Sequence, residues 1–158
     1  MSLPATPQLR WSALRVDDLD ALLAVENQCY SHPWTRGNFI DSMAMGYAMQ
    51  LLWVDEALIG YFVAMQGVDE LHLLNITVNP QHQRQGWAKV LLEQLRSWAV
   101  SVRAQAIWLE VRISNLRAQQ IYLQFGFESV GLRKRYYPVS HVEREDAMVM
   151  RYLLPTTP

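Results

Sequence analysis

"TVNPQHQRQGWAKVLLEQL", residues 77–95, decides how the chain is organised. A β-branched run closes at Val78, Pro80 turns the chain, and Gly86 stands just ahead of a new pattern. In that pattern Trp87, Leu91, Leu95 and Trp98 recur at i, i+4, i+8 and i+11. The spacing lays an apolar stripe along one side of a helix. After the helix, "AIWLEV" (106–111) reads as another short apolar strand. Strand, helix and strand in this order predict a right-handed crossover that sets the two strands parallel.

Upstream, residues 47–54 and 58–68 are apolar, β-branched or aromatic runs parted by "DEA", the pattern of a hairpin. Asp69 and Glu70 mark a turn before "LHLLNITV" (71–78), the third strand of that meander. "LRWSALRV" (9–16) reads as a first strand, and Asp17 or Asp18 as the cap of a helix with Leu19, Leu22, Leu23 and Glu26 at helical spacing. "SHPWT" breaks the chain, and Thr35 caps a second helix running to about Met45. Downstream, "SNLRAQQIYLQF" (114–125) predicts a helix capped by Ser114 or Asn115. Leu116, Ile121 (or Gln120), Leu123 and Phe125 supply its apolar side, and Gly126 ends it. "ESVGLRKRYY" and "DAMVMRYLL" form a last antiparallel pair joined by "PVSHVERE". The order predicts an α/β (α+β) domain: a mixed, mostly antiparallel central sheet of about seven strands with helices on both faces. A single domain is expected over residues 9–154, with tails at 1–8 and 155–158.

A chain of 158 residues, 51% of them hydrophobic, suffices for one core without a disulfide or metal staple. The net charge of −1 argues against a surface that grips nucleic acid nonspecifically, although Arg133, Lys134 and Arg135 are consecutive. Cys29 has no partner for an internal disulfide, and no signal pattern opens the chain, so a cytoplasmic location is expected. No apolar run approaches the roughly 18 residues of a membrane span. The four histidines are scattered without metal-ligand spacing, so no metal is expected.

The first N–H groups of a helix have no internal partner, and the helix dipole is positive there. A loop wrapped ahead of the helix can aim several such groups at one anion. Gly86 lets backbone approach closely, Ala88 keeps the first turn small, and Arg84 and Lys89 add positive charge. Two familiar phosphate motifs do not fit: the glycine is followed by "WAK" rather than by Lys and a hydroxyl, and it stands alone rather than in G-x-G-x-x-G. An ordinary polar turn before a core helix fits the same letters.

"QRQGWA" (83–88) resembles the Q/R-x-x-G-x-G/A loop of the GCN5-related N-acetyltransferases, the GNAT family. "LLNITVNPQHQRQGWAKVLLEQL", "IWLEVRISN", "IYLQFGF", "RKRYYP" and "REDAMVM" also follow the family's order, over most of residues 9–153, and "VENQCYSHPWT" is similar but less close. Ala88 stands where the family also has glycine, and "VSHVERE" falls in a variable segment. The resemblance implies acetyl-CoA as cosubstrate, its pyrophosphate held by Arg84, Gln85, Gly86, Trp87, Ala88 and Lys89. It implies that Ile76, Thr77 and Val78 pair through their backbone with the pantetheine arm, and that an N–H there polarises the thioester carbonyl. Asn115 would contact the same arm, Glu110 would act as general base through water, and Tyr122 would protonate the leaving thiolate. Glu26, Trp34, Tyr136 and Tyr137 would touch the acceptor. The branch with these segments acetylates the N-terminal alanine of small-subunit ribosomal protein eighteen, so a protein N-terminus is the expected partner.

Plainer readings stand beside these. Strand alternation can put Glu110 on a solvent face, Asn115 is a helix cap, Tyr122 a core aromatic, and Ile76 and Val78 are core by side chain. A free α-amine has a pKa near 8 against about 10.4 for lysine, a difference of about 3.3 kcal/mol in deprotonation, which favours α-amine chemistry. The alternatives are a lysine or small-molecule amine as acceptor, a non-catalytic acyl-CoA-binding module, and a nucleotide-binding module.

Overall fold

The computed structural model describes residues 8–155. The expected tails lie outside these residues except for Gln8 and Pro155. Eleven elements follow one another: β1 (Leu9–Ala13), α1 (Leu19–Cys29), α2 (Arg36–Ala44), β2 (Ala48–Val54), β3 (Ala57–Gln66), β4 (Glu70–Val78), α3 (Trp87–Ser101), β5 (Ala106–Arg112), α4 (Leu116–Phe125), β6 (Glu128–Pro138) and β7 (Arg144–Leu153). The strands make one sheet in the order β1-β2-β3-β4-β5-β7-β6. Every neighbouring pair is antiparallel except β4 with β5, the pair that α3 connects. This is the mixed sheet expected from the sequence.

Period-2 alternation sends side chains to two cores. On one face Leu71, Leu73, Ile107, Leu109 and Val111 meet Leu91, Leu92, Leu95 and Ala99 of α3. On the other, Leu51, Tyr61 and Val63 meet Leu19, Leu22 and Val25 of α1 and Phe39 of α2. Each fully buried leucine contributes about 1.5–3 kcal/mol, so both cores hold the sheet firmly. Thr35 caps α2 as expected: its Oγ1 accepts from Asn38 N–H (3.1 Å), and Asn38 Oδ1 accepts from Thr35 N–H (2.9 Å).

Three local expectations need correction. The first strand stops at Ala13, and Val16–Asp18 form a single 3-10 turn. Asp18 occupies the cap position of α1, but its Oδ2 accepts from Arg15 N–H (3.0 Å) instead of from the helix. Leu116 and Leu123 are 66% and 53% exposed. The inward stripe of α4 is Ala118, Ile121, Tyr122 and Phe125, because leucines two places off that stripe sit about 200° around the helix. Gln119 is buried with this stripe and donates to the carbonyls of Arg112 (3.1 Å) and Ile113 (3.0 Å).

Two features of β4 shape the site. The β3–β4 register passes from Val63↔Asn75 to Ala64↔Leu73, so Leu74 has no partner and the strand bulges. Beyond the bulge, β4 and β5 part. They pair only at Glu70↔Ala106, Leu71↔Ile107 and His72↔Trp108, whereas β5 stays paired with β7 from Ala106 to Arg112. The ladder with β7 draws β5 away, and a wedge opens between the two parallel strands.

Gly60 sits under the far arm of the wedge. A Cβ there would lie 2.5 Å from the Thr77 carbonyl oxygen and 3.0 Å from Leu91 Cδ1. Gly60→Ala is therefore expected to lower stability by about 1–3 kcal/mol, read as an earlier urea midpoint. An unchanged midpoint would show that β3 and β4 have room to spare.

Candidate active site

The wedge exposes polar backbone by a simple alternation. Asn79 N–H donates to Ile59 O (2.7 Å), and the register carries that pairing on to Tyr61↔Thr77. Alternate residues of an antiparallel strand face opposite ways with their N–H and C=O groups. Ile76 and Val78 thus turn theirs away from β3, into the gap that β5 has left. Side chains reach part of this edge: Tyr30 Oη–H donates to Ile76 O (3.0 Å) and Gln83 Nε2–H to Val78 O (3.3 Å), where the Cys29 thiol also donates (3.5 Å). Burial, with Glu26 adding, pushes that thiol up to about 11, so it is no nucleophile at neutral pH.

The loop from Gln83 to Gly86 follows β4 at its open end. Arg84 and Gly86 both have positive φ, 63° and 86°, and Gly86 caps α3 without any side-chain hydrogen bond. Left-handed residues either side of Gln85 curl the chain into a concave turn, the shape in which successive N–H groups converge on an anion. Trp87 Nε1–H donates to Gln85 Oε1 (3.1 Å), fixing the turn from outside. Lys89 is exposed and 3.8 Å from Glu93, one turn on. Across the wedge, Asn115 Oδ1 accepts from Ala118 N–H (3.1 Å), so the cap reading of Asn115 holds.

Glu110 does not face solvent; its side chain is 7% exposed. Strand alternation sets it with Trp108 and Arg112 on the face opposite α3. Its Oε2 lies 2.5 Å from His72 Nε2 and its Oε1 3.4 Å from Arg133 Nε. Tyr137 Oη–H donates to the Glu110 carbonyl (3.1 Å). Arg112 braces the same wall, donating to Pro138 O and Glu145 Oε1 (2.9 Å each) with its guanidinium 4.6 Å from the Tyr137 ring. Hydrogen bonds from Arg112 and Ser114 hold the Glu145 carboxyl below the usual range.

Tyr122 comes to the wedge from α4 with its ring against Phe127 (5.7 Å). Burial, then the neighbouring Tyr137, pushes its hydroxyl well above the ordinary tyrosine value. Tyr137 is pushed up to about 12, first by burial, then by Tyr136 and Glu110. Trp34 stacks on Phe39 (5.1 Å) and lines a recess of about 320 Å³ with Tyr47 and Leu74. Tyr136 is 40% exposed, edge-on to Tyr137 (4.8 Å). Glu26 sits deeper, 1% exposed. Its oxygens accept from Tyr61 Oη (2.6 Å), Asn75 Nδ2 (3.1 Å) and Trp34 N–H (3.0 Å), so it ties the α1–α2 connection to β3 and β4 and has no open face for a ligand.

Sequence reasoning missed His72, Arg133 and Tyr30. Each acts across strands or from a helix end, at a distance no local spacing encodes. Tyr30 and Arg133 left a trace, standing inside the "VENQCYSHPWT" and "RKRYYP" segments, and His72 left none.

The buried hydroxyls carry a pH consequence. Tyr30, Tyr61, Tyr122 and Tyr137 are all raised, mainly by burial. Unfolded tyrosine ionises near about pH 10, so above that value the unfolded chain holds fewer protons than the folded one, and stability falls as pH rises. Urea midpoints are expected to be level up to about pH 9.5 and to drop beyond about pH 10, with tyrosinate absorbance rising as the chain unfolds. Midpoints that stayed level well beyond about pH 10 would contradict the burial of these four hydroxyls.

A splayed parallel pair, a left-handed glycine loop at a helix start and a carboxylate beside the gap define an acyl-CoA-dependent N-acyltransferase class. The chain belongs to the Acetyltransferase (GNAT) family, whose model matches residues 19–127. It is similar to ribosomal protein bS18-alanine N-acetyltransferase of Haemophilus ducreyi (32% identity over 137 residues, 87% of this chain and 94% of the relative). The relative of the same name from Escherichia coli strain K12 is 33% identical over 139 residues (88% and 93%). The crystal structure of the ribosomal-protein-S18-alanine N-acetyltransferase from Escherichia coli superposes with a TM-score of 0.86 at 30% identity, covering 96% of this chain and 97% of that one. Among the described residues no group of three or more His, Cys, Asp or Glu is placed to hold a metal, and no helix is long and apolar enough to cross a membrane.

Proposed function

We propose that residues 9–154 form one catalytic unit that transfers acetyl from acetyl-CoA to the α-amine of an N-terminal alanine, with ribosomal protein bS18 as the acceptor. The observation that carries this is the three-residue β4–β5 ladder, which leaves the Ile76–Val78 backbone facing a gap beside Glu110 and Tyr122. The pyrophosphate sits on the N–H groups of the Gln85–Lys89 turn, with Arg84 and Lys89 adding charge. The pantetheine amides pair with Ile76 and Val78 as an added strand, Thr77 keeping that edge in register and Asn115 meeting the arm from across the wedge. An N–H on this edge stabilises the tetrahedral oxyanion. Trp34, Tyr136 and Tyr137 wall the acceptor's path, and Glu26 holds Trp34 and Asn75 behind that wall. A cytoplasmic location suits a ribosomal acceptor.

The amine lone pair attacks the thioester carbon, its proton passes through water to the Glu110 side, and the C–S bond breaks. Tyr122 stays protonated throughout the working range and donates its hydrogen to the departing sulfur. Tyr122→Phe is expected to lower kcat by about 10²-fold, the low end for a positioned acid–base group, at unchanged KM for acetyl-CoA. A kcat within twofold of the parent protein would take Tyr122 out of the reaction.

The acceptor is tested by mass spectrometry on a peptide beginning with alanine beside its N-blocked, lysine-containing version. Acetyl on the first peptide alone supports the α-amine reading, and acetyl on the blocked peptide transfers the assignment to lysine. Stabilisation by CoA without turnover on either peptide would indicate a binding module.

A further inference from the structure

We infer that His72 and Glu110 work as a carboxylate–imidazole pair, and that the proton leaving the amine is held on His72 rather than on Glu110. This rests on the acetyl-transfer reading above. Glu110 already has a partner at each oxygen, His72 at 2.5 Å and Arg133 at 3.4 Å, and its side chain is nearly closed to solvent at 7%. His72 is 25% exposed, so the imidazole is the open end of the pair. The Arg133 guanidinium beside Glu110 favours the charged carboxylate, and imidazole is by its chemistry a stronger base than a carboxylate. A proton delivered to a hydrogen-bonded pair rests on the stronger base, giving imidazolium beside carboxylate.

The fold places the pair at the throat of the wedge, since His72↔Trp108 is the last rung before β4 and β5 part. β6 brings Arg133 and the Tyr137 hydroxyl, which is bound to the Glu110 carbonyl. β7 brings Arg151, whose guanidinium lies 5.5 Å from the Trp108 ring on β5. β3 sets Met65 opposite His72. From α1, the carboxylate of Glu26 is tied to Tyr61, Asn75 and Trp34.

The proton balance closes. Attack on the thioester gives a positively charged nitrogen and an oxyanion. The nitrogen's proton passes through water to the pair and rests as imidazolium. The oxyanion re-forms the carbonyl, the C–S bond breaks, and the thiolate takes the Tyr122 proton. His72 then releases its proton to solvent through its exposed edge, and Tyr122 recovers one from solvent.

The test is the pH dependence of kcat/KM with an alanine-starting peptide for the parent protein, His72→Gln and Glu110→Gln. The amine's own ionisation is common to all three and cancels in ratios. Only the neutral imidazole can take up the proton, so a rate that depends on it rises with pH. The parent/His72→Gln ratio is expected to rise with pH, and free imidazole is expected to restore part of the lost rate in His72→Ala. A ratio that stays constant with pH would make His72 a mere support and overturn the inference. If Glu110→Gln is impaired while that ratio is flat, the imidazole role alone fails. If Glu110→Gln is fully active, the underlying assignment of Glu110 fails with it. Stabilisation by CoA verifies that each variant is folded, and His72→Asn replaces His72→Gln if that variant is not.

Discussion

Glu110→Gln is expected to lower kcat by about 10²–10⁴-fold, the range over which a positioned acid–base group acts, while KM for acetyl-CoA stays within about threefold. The substitution keeps the shape of the side chain and removes its charge. One amide end must then face either His72 Nε2 or Arg133 Nε, the two partners of the carboxylate in the parent protein. The proton path from the wedge is cut at that point. Arg133 is 53% exposed at its side chain and can turn to solvent, so the fold loses little. The proposed acetyl-CoA contacts lie on β4 and the α3 loop, and Glu110 lies on β5, so kcat and KM are expected to respond separately. Steady-state kinetics with the alanine-starting peptide gives both constants. A variant with parental kcat would take Glu110 out of the reaction.

The second large effect is expected at Gly86. Its φ of 86° lies in the left-handed region, and a Cβ built there would meet nothing within 4 Å. Any loss on substitution therefore comes from backbone strain and from the ligand's approach, not from a clash within the protein. Left-handed backbone costs an L-residue about 1–2 kcal/mol, and a β-branched one more. Gly86→Val is expected to pull the loop out of its concave shape and raise KM for acetyl-CoA by at least about tenfold, which is about 1.4 kcal/mol of binding. Its kcat at saturation is expected to change far less, because Glu110 and Tyr122 stand on other elements. Urea unfolding separates the two readings of this loop. A polar turn with no ligand would lose stability while KM stayed put, whereas a phosphate cradle loses affinity beyond what stability explains.

Much of this arrangement was legible in the letters because it is local. The i, i+4, i+8, i+11 stripe from Trp87 to Trp98 identified α3, and the strands either side of it required the parallel β4–β5 pair. Thr35 and Asn115 announced their helices as caps. The misjudged letters were those whose setting depends on partners. Leu116 and Leu123 look like core residues and are not, because only the angle around α4 decides which positions meet β5 and β7. Asp18 looks like a cap and bonds backward to Arg15. Glu26 reads as an available carboxylate and lies buried under three donors. His72 stood among four scattered histidines, and the β4–β5 rung at Trp108 brings it beside Glu110 on the same face of the sheet. Spacing along a chain carries no information about which residues two paired strands will bring together.

The most direct measurement is a crystal structure with coenzyme A bound. The expected result has the pyrophosphate on the backbone N–H groups of residues 85–89, the pantetheine amides paired with Ile76 and Val78, and the sulfur within reach of the Tyr122 hydroxyl. Coenzyme A lodged elsewhere, with β4 and β5 closed on each other along their length, would contradict it.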